Sequence, residues 1–116
     1  MRFLCIFKAV EGAPPSEKEM TEMGALIGEM ASAGVLLATE GCLPSARGAR
    51  VRRAKGTVTV TDGPFTESKE VIGGFALIET PSMQEAIEWT KRFIDVAGDG
   101  ESEIRELYPT PAFVRG

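Results

Sequence analysis

The stretch TDGPFTESKEVIGGF, residues 61–75, lies between two apolar runs in the middle of the chain. It combines a turn dipeptide, a proline, four charged side chains and a glycine pair. Asp62 can bond its own backbone two residues on, Gly63 accepts a positive φ, and Pro64 fixes the φ that follows. These residues predict a tight turn. The charged residues that follow indicate that this segment has a role beyond that of an ordinary surface loop.

The segments before this stretch predict a strand, a helix, a second strand and a hairpin. Residues 3–7 are apolar on both alternating faces, which is typical of a central or doubly covered strand, and Cys5 within it is expected to be a buried, reduced thiol. Ser16 and Glu19 match a capping box at a helix start. That helix carries one apolar stripe, for which core packing is favoured over an adaptable binding surface: Met20, Met23, Ile27, Met30 and Ala31. Further strands are predicted at residues 35–39 and, as a hairpin, at 49–53 and 57–61.

The segments after the stretch give a strand, a helix and a strand again. Residues 75–79 predict a strand, and Ser82 with Glu85 matches a second capping box. The second helix carries the stripe Met83, Ala86, Ile87, Thr90, Ile94 and Ala97, and residues 102–108 predict the last strand. Two such halves make a ferredoxin-like βαββαβ α+β sandwich with an inserted β-hairpin, in one domain spanning residues 1–116. Nothing in so short a chain covers the other face of the sheet, so we expect a homodimer.

Composition narrows the class of protein. The chain has 116 residues, a net charge of −4 and no histidine. The lack of histidine excludes histidine-dependent triads and typical zinc hydrolase sites. The acidic balance argues against direct nucleic-acid contact, and no apolar run approaches the ~20 residues of a membrane helix. Without a signal-peptide pattern, the expected location is the cytoplasm.

One local basic cluster departs from the acidic balance. It comprises Arg47, Arg50, Arg52, Arg53 and Lys55. Strand alternation puts Arg50 and Arg52 on one side of the hairpin, with Val51 and Arg53 on the other. A charged edge that discourages aggregation is favoured over an anion-binding role.

Several motifs, in order along nearly the whole chain, carry a resemblance. The central one is Asp62-Gly63-Pro64-Phe65 followed by Glu67, Lys69-Glu70 and Gly73-Gly74-Phe75. Around it stand Gly41-Cys42-Leu43-Pro44, Val51-Arg52, Ala86-Ile87-Glu88-Trp89 and Glu103-Ile104-Arg105. Together they resemble the DGPF-domain proteins of the YCII-related family, with its GLxP turn, VR strand, second-helix motif and closing ExR strand. Cys42 departs from the pattern, which has leucine there.

This resemblance implies a dimeric α+β barrel built from ferredoxin-like subunits. Many members look like accessory proteins encoded near extracytoplasmic-function sigma factors, so a sigma-factor-linked partner in transcription initiation is one expectation. Other members resemble enzymes, some dehydrochlorinase-like, built around a histidine–aspartate pair. That pair cannot be carried over to a chain without histidine. Only the Asp62 region then remains as a catalytic candidate.

The side chains of the stretch have two interpretations. In one, Asp62 and Glu70 line a dimer-walled cleft, where desolvation would raise their pKa values and suit them to proton transfer. Arg52 and Arg105 would then hold a ligand carboxylate or enolate. The remaining predicted ligand-binding residues are Pro64, Phe65, Glu67, Lys69, Gly73 and Gly74. In the other, Asp62 is a turn residue, and salt bridges among Glu67, Lys69, Glu70 and Arg52 only fix the loop. This salt-bridge network is favoured over catalysis.

The predicted function is a small-molecule-binding or regulatory accessory module, dimeric, whose cleft under segment 62–74 holds an organic acid or another metabolite. The alternative is a histidine-free acid–base enzyme, a lyase or isomerase acting on a small carbonyl or aromatic substrate. In it, Asp62 or Glu70 is the base and Arg52 an electrostatic clamp. A protein partner of transcription components is a weaker alternative. No metal and no nucleotide cofactor is expected, because EF-hand, P-loop and dinucleotide-binding patterns are absent.

Overall fold

The described part of the chain folds into six strands, two α-helices and one short 3-10 turn. The computed structural model describes residues 1–12, 14–65 and 67–109. The elements in chain order are β1 (Arg2–Ala9), α1 (Glu17–Ser32), β2 (Leu36–Gly41), the 3-10 turn (Ser45–Arg47), β3 (Ala49–Ala54), β4 (Thr57–Asp62), β5 (Val71–Glu79), α2 (Met83–Ala97) and β6 (Glu101–Glu106). Each predicted element is present.

Four of the strands form one antiparallel sheet in the order β2-β5-β1-β6. The other two, β3 and β4, pair only with each other. Both helices pack on one face of the larger sheet, since their side chains share a core with β1 and β5. The α+β class is therefore confirmed, and the strand order is compatible with the predicted ferredoxin-like arrangement.

The core lies between the larger sheet and the helices. Phe3 and Ile78 are fully buried and directly opposite each other across β1 and β5. Cys5 follows on the same face, where its Sγ lies 3.8 Å from Oγ1 of Thr90 on α2. The predicted burial of this thiol is confirmed.

Both helices begin where the capping boxes predict. Oγ of Ser16 accepts the backbone N–H of Glu19 at 3.1 Å, and Oγ of Ser82 accepts that of Glu85 at 3.2 Å. Each cap satisfies one of the free N–H groups of a helix start. The C-cap residues are Ala33 for α1 and Gly98 for α2.

The apolar face of α1 differs from the predicted stripe. Its buried residues are Leu26 and Met30. Leu26 stands outside the predicted stripe, whereas Met20 and Ala31, both within it, are exposed. The contact face is therefore rotated from the predicted stripe toward Leu26, so that the Met20 end of α1 leaves the sheet.

The hairpin of β3 and β4 turns at Lys55 and Gly56, which have φ of 52° and 81°. Positive φ at both central residues characterises the turn that best suits a two-residue hairpin. All twelve strand residues are exposed. The register pairs Arg50 with Thr61 and Val51 with Val60, which confirms the predicted alternation of sides.

The second face of the four-stranded sheet carries no helix in the part of the chain that the structure describes. Its centre is apolar: Leu4 pairs with Leu77, and Ile6 pairs with Phe75. At the edge of this face, Arg105 of β6 lies opposite Leu4 of β1.

Strand β5 begins earlier than its predicted start at Phe75. It includes Gly73 and Gly74, and the pairing with β1 shifts register between Phe7 and Lys8, opposite Gly73. A Cβ at Gly74 would lie 2.8 Å from the carbonyl oxygen of Glu40 on β2. Glycine is thus required by the close approach of two strands, although it is normally disfavoured inside a strand.

Candidate functional site

The segment from Asp62 to Gly74 divides into three parts with different neighbours. Its first part packs on the 3-10 turn, its middle part contacts Arg50 of the hairpin, and its last part enters β5. The segment does not form one continuous wall around a single site.

Ser45 holds the first part in place. Its buried hydroxyl accepts the backbone N–H of Phe65 at 3.1 Å and donates to Oε2 of Glu11 at 2.9 Å. Glu11 also accepts the Ser45 backbone N–H. Gly63 donates to the carbonyl of Gly48 at 2.9 Å, and the Gly63–Pro64 peptide is cis. These bonds join segments far apart in sequence and give Gly63 and Phe65 a structural role. None of them involves the side chain of Asp62, and Gly63 does not have the predicted positive φ.

Arg50 organises the middle part. Its guanidinium lies 3.9 Å from the centroid of the Phe65 ring, pairs with the carboxylate of Glu67 and donates to Oγ of Ser68 at 2.9 Å. A backbone hydrogen bond within Glu67 and the Arg50 guanidinium together lower the pKa of the Glu67 carboxyl. Of the predicted salt-bridge network, Glu67 alone forms an ion pair among the described residues, and its partner is Arg50 rather than Arg52.

The predicted catalytic and clamping side chains are not brought together within one chain. Asp62 lies opposite Ala49 at the base of the hairpin, and Glu70 precedes β5; both are exposed. Arg105 pairs with Glu103 at 3.1 Å on the second face of the sheet. The ion pairs of the described residues include none from Arg52, Lys69 or Glu70. The burial that the proton-transfer interpretation requires is absent around Asp62 and Glu70 in the described chain.

A cavity of about 1030 Å³ lies between the helices and the sheet, beside residues 71–74. One wall is the inner face of α1, another is α2, and the floor is formed by β1, β2 and β5. The side chains that matter most below are those of Met23 and Ile27 on α1, Trp89 and Phe93 on α2, and Thr39 and Ala76 on the sheet. We call this space the α1 cavity.

The α1 cavity exists because small residues face a helix that carries long ones. Thr39 and Ala76 pair across β2 and β5, and the glycine pair continues that floor. They leave space beneath α1, where Met20 and Met23 contribute flexible thioether side chains.

Sequence reasoning missed this cavity. The methionine spacing and the small residues of the sheet were each visible, but their alignment depends on the rotation of α1 and on the register of β2 with β5.

Polar side chains inside the α1 cavity are few, and the hydroxyls of Thr39 and Thr90 are bonded to backbone carbonyls. Thr90 donates to the carbonyl of Ala86 at 2.8 Å, and Thr39 donates to that of Phe75 at 2.9 Å. Burial raises the pKa of the Cys5 thiol, which keeps it protonated near neutral pH. The depth of the cavity therefore suits an apolar group better than a charged one.

Comparison with known proteins shows the family of this chain. A family model described as YCII-related domain matches residues 1–110. The chain belongs to the YCII-related family. An uncharacterized protein of Rhizobium meliloti (strain 1021) is 32% identical over 92 residues, covering 78% of this chain and 74% of that protein. The YCII assignment confirms the resemblance, and the narrower DGPF assignment stays a prediction. Among the described residues of this YCII-related chain, neither helix is long and apolar enough to cross a membrane.

Proposed function

We propose that this YCII-related protein is a homodimeric binding module that holds a small apolar molecule in the α1 cavity. The observation that carries the proposal is the cavity itself, with its volume of about 1030 Å³ and its mostly apolar wall. Ligand pockets in proteins typically measure about 300–1,000 Å³ and combine apolar walls with a few polar groups. Of the predicted binding residues, Gly73 and Gly74 line this space.

The binding function is favoured over the acid–base enzyme by the positions of the charged groups. Asp62 and Glu70 lie outside the cavity wall and are exposed to solvent. The polar side-chain groups that line the cavity between the helices and the sheet include the thiol of Cys5 and the hydroxyls of Thr39 and Thr90. None of these has a histidine or a buried carboxylate to act as its base.

Two uncovered apolar surfaces support the homodimer. The first is the sheet face around Leu4, Ile6, Phe75 and Leu77. The second is the hairpin, since an isolated two-stranded ribbon is only marginally stable in water. Its valines Val51, Val58 and Val60 are 72%, 59% and 65% exposed. A second copy of the chain would bury both surfaces at once in a two-fold assembly.

Ligand binding is tested with decanol, a neutral apolar probe, and the fluorescence of Trp89. This is the single tryptophan of the chain, and it lines the cavity. We expect saturable binding that is weakened at least about tenfold by Ala76→Phe, whose ring would occupy the cavity floor. The matched control Ala25→Phe adds the same ring to the exposed side of α1 and should leave binding unchanged. Equal binding by both variants, with both folded by circular dichroism, would place the probe elsewhere and refute the proposal.

Dimerisation is tested separately by light scattering at micromolar concentration. Phe75→Glu puts a charge on the apolar sheet face and should give a folded monomer. Ala25→Glu introduces the same charge on α1 and should remain dimeric. A monomeric parent protein would contradict the homodimer while leaving the binding function open.

A further inference from the structure

The charged residues that line the α1 cavity all have the same sign. They are Glu11, Glu19 and Asp99, and no lysine or arginine of the described chain joins them. Glu40 also borders the cavity, but it pairs with Phe75, so its side chain lies on the second face of the sheet. Building on the proposed function, we infer that the ligand is an apolar molecule with a cationic amine head rather than an organic acid. Glu11, Glu19 and Asp99 are exposed, and we call the side of the cavity that they line its mouth. A carboxylate head would add a like charge at this mouth, whereas an ammonium group adds the opposite one.

The carboxylates belong to segments that end or begin at the mouth. Glu11 follows β1, Glu19 lies in the first turn of α1, and Asp99 lies in the turn after α2. The lining side chains between them are apolar, including Leu26, Phe93 and Val96. A bound molecule would therefore place its apolar body under α1 and its polar head among the carboxylates.

The helix ends do not reverse this sign. α2 ends beside the cavity, because Val96 and Ala97 line it, and a helix C-terminus carries a partial negative charge. α1 begins there with the opposite partial charge, but Glu17 and Glu19 stand in its first turn. Two full negative charges outweigh the roughly half a positive charge of a helix N-terminus.

The carboxylates differ in how firmly they are held. Glu11 accepts two hydrogen bonds from Ser45, and Glu19 accepts one from the hydroxyl of Ser16 at 3.1 Å. Among the hydrogen bonds and ion pairs of the described residues, none involves the side chain of Asp99. Asp99 can therefore turn toward a bound cation without breaking an existing contact.

The basic cluster of the hairpin cannot supply an anion site for this cavity. Arg50 is already engaged by Phe65, Glu67 and Ser68. Neither Arg52 nor Arg105, the residues predicted to clamp a ligand carboxylate, lines the cavity. An organic acid in the α1 cavity would thus have no cationic partner from the described chain.

The test uses three probes with the same tail: decylamine, decanol and decanoate. Each is titrated below its aggregation concentration at neutral pH, with Trp89 fluorescence as the readout. Because several carboxylates act at the partly hydrated mouth, we expect decylamine to bind at least about tenfold tighter than decanoate, with decanol between them. The titrations are run at about 0.15 M salt, which screens the net charge of the whole protein beyond about 8 Å.

Two variants with the same charge change show whether the preference arises at the mouth. Asp99→Asn removes a cavity carboxylate and should lower the ratio of decylamine to decanoate affinity about threefold. Asp95→Asn removes a carboxylate from the exposed surface of α2, outside the cavity wall, and should leave that ratio unchanged.

Each outcome bears on a different claim. Decanoate binding as tightly as decylamine would overturn the cationic-head inference and leave the proposed binding function intact. An equal effect of the two aspartate variants would also overturn it, because the preference would then reflect net charge alone. Failure of all three probes to bind would refute the proposed function itself.

Discussion

Replacing Gly74 by alanine tests the close approach of β2 and β5, on which the floor of the α1 cavity depends. The added Cβ would lie 2.8 Å from the carbonyl oxygen of Glu40 and 3.3 Å from Cα of Gly41. Both neighbours are backbone atoms, so the two strands must separate by roughly half an ångström to reach an ordinary contact. That movement strains the bond from the Cys42 N–H to the Gly73 carbonyl, now 2.9 Å long. A weakened hydrogen bond and the overpacking together should cost about 2 kcal/mol of unfolding free energy.

The assay is urea unfolding at a fixed protein concentration, followed by circular dichroism. Gly28→Ala is the matched control, because a Cβ there meets no atom within 4 Å and alanine favours the helix. It should stabilise the protein by roughly 0.5–1 kcal/mol, so the same substitution has opposite signs at the two positions. If Gly74→Ala were as stable as the parent protein, β2 would not lie against β5 as described, and the reasoning about the cavity floor would fail with it.

Three further predictions concern single side chains. In the native protein, a thiol reagent at mildly alkaline pH should modify Cys42 rapidly and Cys5 only after unfolding, because Cys5 is buried with a raised pKa and Cys42 is exposed; equal rates would contradict the burial. Hydrogen bonds from Lys8 and, to a smaller extent, from Arg105 lower the pKa of the Glu103 carboxyl below its ordinary value of 4.5. The ionised carboxylate therefore contributes to stability above pH 4.5, and this contribution is lost as the pH falls through the lowered pKa. Glu103→Gln should therefore lose less stability than the parent protein on acidification, and an identical acid profile would disprove the assignment. Arg50→Lys should speed proteolysis between residues 65 and 70 several-fold, because lysine cannot reproduce the planar stack on Phe65, whereas Arg52→Lys should not; equal digestion of both would contradict the role given to Arg50.

The sequence predicted the elements well where one local rule decides the structure. Ser16 and Ser82 each cap a helix, because a serine three residues before a glutamate forms a capping box at a helix start. The alternation of Arg50 and Val51 likewise follows from the period of a strand, whatever the strand contacts. Such features depend on neighbours within about four residues, and the sequence contains them directly.

Prediction failed where the outcome depends on distant backbone. The glycine pair appeared to belong to a loop, because glycine is disfavoured in strands. Yet the approach of Glu40 to Gly74 makes glycine necessary inside β5. Arg52 was favoured over Arg50, although both share one side of the hairpin. Which of the two arginines forms the salt bridge depends on where Glu67 lies, and Glu67 lies beside Arg50. Phe65, two residues earlier, is held by Ser45, which is itself bonded to Glu11.

These failures have a common consequence for the function of the central stretch. Phe65 bonds to Ser45 of the 3-10 turn, and Glu67 pairs with Arg50 of the hairpin, so these groups already have partners within the chain. The glycines at the end of this stretch shape the floor of the α1 cavity without contributing any polar group. The central stretch is therefore mainly a structural joint, and the candidate binding surface lies next to it, beneath the methionines of α1. A search for function in this protein should accordingly begin with apolar molecules and with substitutions at Ala76 and Asp99, before the carboxylates of Asp62 and Glu70.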